Sequence, residues 1–519
     1  QMTPQFKLTY GLRLDGLFFD NSDLMTNNAI LGLDYNGRHI DSGKWPNSSL
    51  TVSPRIGFVY DVFGDKTLKF RGGTGFFQGR LPLVFFTNLP TNSGMIQYQA
   101  QLNATKAWNP QTGKKEGVDM TPFAGGLVVD KDGKPTAAAL RDKLISMGYP
   151  ENITPEEGSV PSAISAVDRN FKLPQVWKTS FAVDYQIPVS FPMSVSVEGI
   201  FNKTLNAATL TDWSVQDAKG FPRFNGADNR PVYPKGSTVG TSAYVLENTS
   251  RGYGWSFSAQ VNAQPWEWLN LMAAYTHTVS KEVTSLPGSN ASSVLNYIST
   301  VYGPNNIKLH NGQNVTPDRI IASATIHDKS NNHYSFIYEA WRGGYNYSYM
   351  MVNDINADGY NYDAIYIPTD QQVADNEFRF KTEDDKTRFM DYVHNNSYLK
   401  NHQGEYAEAY SLYSPWVHRI DFSYKHDFKF DVAGHTNTIQ LSFDMKNVLN
   451  FFNSSWGVMK YLNPEIGSDP RILRYEGYDK DGYATFSTPK SINGNTKTFV
   501  PNHAIGQCWY ASVGLRYIF

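Results

Sequence analysis

The sequence predicts an all-β fold, the wall of an antiparallel transmembrane β-barrel. Three observations carry that expectation: strands alternate apolar and polar residues, connections alternate short and long, and the composition is 14% aromatic but only 18% charged. An ordinary soluble domain carries about 25% charged residues.

The alternation comes first. In FKLTYGLRLD, Phe6, Leu8, Tyr10, Leu12 and Leu14 fall on one face and Lys7, Thr9, Gly11, Arg13 and Asp15 on the other, the period of two that marks a strand. The pattern returns with Ile56, Phe58 and Tyr60, with Leu68 and Phe70, and with Phe181 and Val183. It recurs with Trp255 and Phe257, with Ile420 and Phe422, and with Leu441 and Phe443. Each time the opposite face carries charged residues or other polar ones.

The connections supply the second signal. Short turns at 63–67, 186–192, 264–268, 328–332 and 427–436 take turns with long excursions at 21–49, 81–170, 205–242, 283–316, 348–413 and 452–507. Soluble sandwiches have comparable loops at both ends. Short turns on one side and long loops on the other mark an outer-membrane barrel, with Tyr60, Tyr185, Tyr253, Trp255 and Tyr275 expected in its aromatic girdles. The chain ends in a strand in which Trp509, Ala511, Val513, Leu515, Tyr517 and Phe519 alternate with polar or small residues. Tyr517 and the terminal Phe519 resemble the signal read by the barrel assembly machinery.

Composition excludes other classes. A mean hydropathy of -0.44 with no run of about 18 apolar residues argues against membrane helices. A single cysteine, Cys508, allows no internal disulfide or CxxC zinc site. The net charge of -2 speaks against nucleic acid as a partner. No HExxH, GxSxG or phosphate-loop motif occurs, and no enzymatic activity is expected.

Several segments resemble TonB-dependent outer-membrane transporters, in particular the Oar-like group of Bacteroidetes and relatives. They are VSPRIGF at 52–58, FRGGTGFF at 70–77, FKLPQVW at 171–177, NDINADGYNYDAIYIP at 353–368, YLKNHQGE at 398–405, PWVHRID at 415–421 and NVLN at 447–450. The resemblance implies an integral outer-membrane importer with a 22-stranded barrel, a plug inside it, and a TonB box drawing energy from the inner membrane. About 12 strands can be counted here, and neither plug nor TonB box is visible. Residues 1–519 therefore read as the C-terminal portion of such a barrel, its numbering starting inside a longer precursor. The N-terminal half with its plug, and through it the TonB complex, are the expected partners alongside membrane lipid. A structural or adhesive surface protein is the alternative.

The candidate site residues fall into two sets. Arg13, Arg55, Arg71, Arg319, Arg419, Asp421, Asp444 and Arg516, with Gly73 and Gly75, are expected on the lumen side, where charges of both signs suit ion pairing and glycines admit a plug or ease curvature. Asp354, Asn356 and Asp358 occupy positions 1, 3 and 5 of a calcium-type loop, with Gly359 at 6, the Tyr360 carbonyl at 7 and Asp363 at 10. A bound calcium ion is expected there, although the usual glutamate at position 12 is replaced by Ile365. The DKDG runs at 130–133 and 479–482 are too short for this and read as turns, while 135–147 and 382–394 read as loop helices. Trp108, Trp213 and Trp341 are aromatic loop residues with no assigned role.

Overall fold

The computed structural model describes residues 3–95, 107–109, 114–116, 128–148, 151–432, 434–467 and 469–519. Twelve strands form one continuous antiparallel wall: β1 (Phe6–Leu17), β2 (Ser49–Asp61), β3 (Leu68–Gln78), β4 (Gln175–Gln186), β5 (Met193–Asp212), β6 (Tyr253–Trp266), β7 (Leu269–Glu282), β8 (Asp318–His327), β9 (Asn332–Arg342), β10 (Val417–Val432), β11 (His435–Lys446) and β12 (Tyr510–Ile518). They pair strictly in sequence order. The short turns all fall at one end of the wall and the long excursions at the other. Among the described residues β1 pairs only with β2, and β12 only with β11. No described helix is long and apolar enough to cross a membrane.

Register shows why the alternation matters. Leu8 faces Phe58, Phe58 faces Gly72, Gly72 faces Phe181, Phe181 faces Gly199 and Gly199 faces Phe257. At the far side Phe336 faces Phe422, Phe422 faces Met445, and Leu441 faces Leu515. Directly opposed residues share a face, so the apolar residues of these strands gather on one side of the wall. Rings meet across strands on it, Phe70 with Phe181 at 6.0 Å and Phe336 with Phe422 at 5.0 Å between centroids. These side chains remain accessible, Phe257 at 43% and Leu515 at 75%, as expected of a surface whose solvent is lipid.

Three local expectations change. The last hairpin is tighter than the 427–436 turn, because β10 runs to Val432 and β11 resumes at His435. The strand Ser242–Thr249 leaves the wall, pairing with the outer end of β5 and, in parallel, with Ala163–Val167. Tyr275 lies deeper than Tyr253 and Trp255, opposite Ala259, and its hydroxyl reaches outward to donate to Asp318 Oδ1 at 2.6 Å. The two DKDG runs are turns, with Gly133 and Gly482 at φ +74° and +77°, where a side chain would be strained.

The side-chain core lies in the excursions, which fold into a cap. Its largest cluster joins Phe224, Tyr349, Ile365, Phe389, Ile472 and Phe486, drawn from three excursions. Helix Glu383–Asn395 packs here, begun by Thr382, whose hydroxyl accepts from Asp385 N at 3.1 Å. Helix Ala137–Ser146 forms as well, but none of its residues is buried. The Trp108 side chain lies outside the described residues.

Candidate functional site

The polar face of the wall brings Arg13, Arg55, Arg71, Gly73, Gly75, Arg319, Arg419, Asp421, Asp444 and Arg516 onto one surface by register. Four of these eight charges are paired within the wall. Arg71 bridges Asp184 and Glu198 on the two following strands, each at 3.0 Å. Arg319 meets Glu339 at 2.6 Å, Asp421 meets Lys446 at 2.8 Å, and Arg13 meets Asp15 at 2.7 Å. Arg55 lies over the Phe77 ring at 4.4 Å. Arg419 instead donates to the Gly457 carbonyl at 2.8 Å and Gln507 Oε1 at 2.6 Å, tying the last excursion to the wall. Arg516 faces Gln440 and forms no ion pair among the described residues. Half-exposed pairs like these contribute little individually.

The two glycines are explained locally. A Cβ at Gly73 would meet the Ile56 carbonyl at 2.9 Å, and one at Gly75 would meet Arg55 Cγ and the Pro54 carbonyl, both at 2.9 Å. Close approach of β2 to β3 requires both. On the apolar face, Tyr517 bonds to Asn437 Oδ1 and packs on Phe430, while Phe519 is 95% exposed.

The densest polar chemistry sits in the cap. The 354–363 loop turns at Gly359, φ +91°. Asp354 Oδ2 accepts from Gly359 N at 2.9 Å, Asn356 Oδ1 from Asp358 N at 3.1 Å, and Asp358 Oδ1 from Tyr360 N at 2.8 Å. Asn356, Asp358 and Asp363 are all buried, and Asp354 Oδ1 is enclosed without a hydrogen-bond partner among the described residues. Burial, and secondarily the Asp354 charge, push the Asp358 carboxyl up to about 7. Burial also raises Asp354. Asp363 is raised well above the carboxylate range by burial, with Arg230 opposing and Asp358 and Asp354 adding.

A guanidinium reaches this cluster from another excursion. Arg230 is fully buried and grips Asp228 with two hydrogen bonds of 2.8 and 2.9 Å. It also donates to Asp363 Oδ1 at 3.3 Å and the Ala364 carbonyl at 2.8 Å. The Tyr406 ring lies 5.3 Å from it, and the Tyr406 hydroxyl donates to Asp228 at 2.9 Å. Burial alone would lower the Arg230 pKa, yet Asp228 and Asp363 hold it above its ordinary value. The Tyr360 hydroxyl anchors the loop to the wall by donating to Asp212 Oδ2 at 2.7 Å.

The loop thus brings together the five residues that its spacing picked out, with Asp363 committed to Arg230. Among the described residues no group of three or more His, Cys, Asp or Glu is arranged to hold a metal ion. The sequence gives no signal for Arg230 or Asp228, which sit in an irregular stretch rich in Asn, Pro and Gly.

Comparison with known proteins places residues 1–456 on the model of a family described as outer membrane beta barrel domain. No curated protein sequence matches the chain. Among solved structures, the chain is similar to the outer membrane transporter YddB from Escherichia coli (12% identity, 90% of this chain and 41% of that one, TM-score 0.41). It is also similar to the ferric enterobactin receptor PfeA (7% identity, 100% and 44%, TM-score 0.38). A third is the siderophore receptor PiuA from Acinetobacter baumannii (10% identity, 94% and 40%, TM-score 0.34). The chain spans about two-fifths of the length of each.

Proposed function

Because the chain belongs to the outer membrane β-barrel domain family and is an integral outer-membrane protein, we propose that it forms part of the wall and the outer cap of a TonB-dependent, Oar-like importer. The observation that carries this reading is the twelve-strand wall, apolar on one face and polar and charged on the other, with an excursion-built cap at one end only. On this reading the chain binds and passes a ligand and catalyses nothing. The free edges at β1 and β12 support its being the C-terminal portion of a larger barrel. Each unpaired backbone group left in hydrocarbon costs several kcal/mol. Further strands on the N-terminal side, with a plug, would cover both edges, and the TonB complex would act through that plug. Tyr517 and Phe519 at the end of β12 would be read by the assembly machinery during insertion.

The test is recovery of the protein from outer membranes through a tag inserted in the exposed 479–482 turn. Co-purification of polypeptide that supplies a plug and more strands is the expected result. Recovery of the chain alone, with cysteines at Thr9 and Gly514 joining in a disulfide, would mean that it closes on itself and would sink the reading.

The 354–363 loop is proposed to take calcium through Asp354, Asn356, Asp358 and the Tyr360 carbonyl, with Asp363, held by Arg230, behind them. The support is the spacing and the unpartnered Asp354 Oδ1. Calorimetric titration of calcium into chelator-treated protein should show binding in the range of about 10⁻⁴–10⁻³ M seen for extracellular modules. The Asp354→Asn and Asp358→Asn variants should lose it. A silent titration of the unmodified protein would refute the site.

Without a cation, the raised carboxyl of Asp358 sets a direction for stability. Its folded pKa of about 7 lies above its ordinary value, so between the two the folded state holds the extra proton. The associated stabilisation is full below about pH 4 and is lost as pH rises through about 7. In chelator, cap proteolysis is expected to be several-fold faster at pH 8 than at pH 5.5, measured with a protease active at both. Equal rates would contradict it.

A further inference from the structure

Between the 283–316 and 348–413 excursions lies a cavity of about 260 Å³. It sits where the wall meets the cap, since His310 on its lining pairs with Glu282 at the outer end of β7. That volume is just under the roughly 300–1,000 Å³ of drug-sized pockets. It suits a molecule no larger than a dipeptide.

Two residues of its lining, His310 and Ser299, carry buried polar atoms without partners. His310 is 2% exposed, and its Nδ1 lies 2.8 Å from the Asn311 carbonyl. A carbonyl only accepts, so Nδ1 carries a proton, which leaves Nε2 as the ring's remaining hydrogen-bonding atom. That Nε2 is enclosed with no hydrogen-bond partner among the described residues, and so is Ser299 Oγ. Buried polar atoms without partners are rare in native proteins and call for a ligand or ordered water.

The cavity's charges are equally selective. Glu408 is already neutralised by Lys281. Lys308 lies over the Tyr302 ring, its Nζ 5.0 Å from the centroid, and it makes no ion pair among the described residues. Glu405, also on the lining, has none either. One ammonium and one carboxylate without ion-pair partners, both on exposed residues of a lining that also holds an imidazole and a hydroxyl, complement a molecule that carries both charges itself.

We propose that this cavity binds a small zwitterion, a free amino acid or dipeptide. Its carboxylate would meet Lys308, its ammonium Glu405, and its amide or side-chain donor His310 Nε2 and Ser299 Oγ. The proposal gives the import reading a ligand class, but its test is binding alone.

The test is calorimetry on protein isolated from outer membranes, with alanyl-alanine, its N-acetylated and C-amidated form, and glucose as probes. Alanyl-alanine should bind, and the blocked form should bind at least tenfold more weakly. Lys308→Gln and Glu405→Gln, both at exposed positions that folding tolerates, should each weaken alanyl-alanine at least tenfold. His310→Asn, which keeps a donor for the Asn311 carbonyl, should also weaken it. Binding of glucose with alanyl-alanine silent would overturn the proposal in favour of a sugar. No heat from any probe, in protein whose barrel is folded by heat-modifiable migration, would mean that the cavity holds only water. Binding without uptake would count against the import reading and leave this one standing.

Discussion

Arg230→Met is expected to destabilise the cap by about 3–5 kcal/mol, the usual cost of removing one member of a buried ion pair. The variant would strand Asp228 and Asp363, which are 2% and 1% exposed. Burial already raises Asp363, and losing the guanidinium would push it higher. Asp228 would keep only the Tyr406 hydroxyl of its present side-chain partners. Adding Asp228→Asn and Asp363→Asn should recover much of the loss, because a neutral site of similar shape is often no less stable than the ion pair. Urea titration followed by the fluorescence of cap aromatics measures both effects. A single variant within about 0.5 kcal/mol of the unmodified protein, the range of ordinary surface substitutions, would show that the network contributes little.

Phe257→Arg is the second large effect, with about 2–4 kcal/mol, the cost of an arginine turned to lipid at the bilayer midplane, as its upper bound. Its neighbour Ser258 faces Glu198 and Thr276 on the polar side. Ser258→Arg, with Glu198 close by, should cost under about 1 kcal/mol, the scale of an exposed charge with an opposite charge nearby. Reversible unfolding from lipid vesicles distinguishes the two. Equal costs would mean that the two faces of the wall meet the same solvent, which no barrel in lipid allows.

The wall was legible because lipid imposes a strict rule on adjacent residues. A strand with lipid on one side must alternate, and Phe6 to Asp15 or Ile420 to Lys425 do so with hardly an exception. The turns announce themselves as well: 63–67 carries a glycine at φ +80°. The cap follows no such rule. Several of its ladders are only two residues long, Tyr366–Ile367 against Glu405–Tyr406 for example, too short to show a period. Its central contact joins Arg230 to Asp363 across 133 positions. The 354–363 loop was visible because its side chains bond to their own backbone. The His310 cavity was not, because its lining comes from two excursions that meet only in three dimensions.

β5 is 20 residues long, about twice the 9–11 that cross a bilayer, so at roughly 3.3 Å per residue it spans about 65 Å. Its inner end leaves a short turn. Its outer end places Asp212 inside the cap, where Oδ1 accepts from Ala243 N at 2.9 Å and Oδ2 from the Tyr360 hydroxyl. Mechanically this strand is a strut common to two bodies, shared ladder by ladder with β4 and β6 and then gripped by the cap. A tilt of the cap relative to the barrel must bend the strut or shear the Asp212 bonds. A pull transmitted along the wall is delivered to the base of the 354–363 loop.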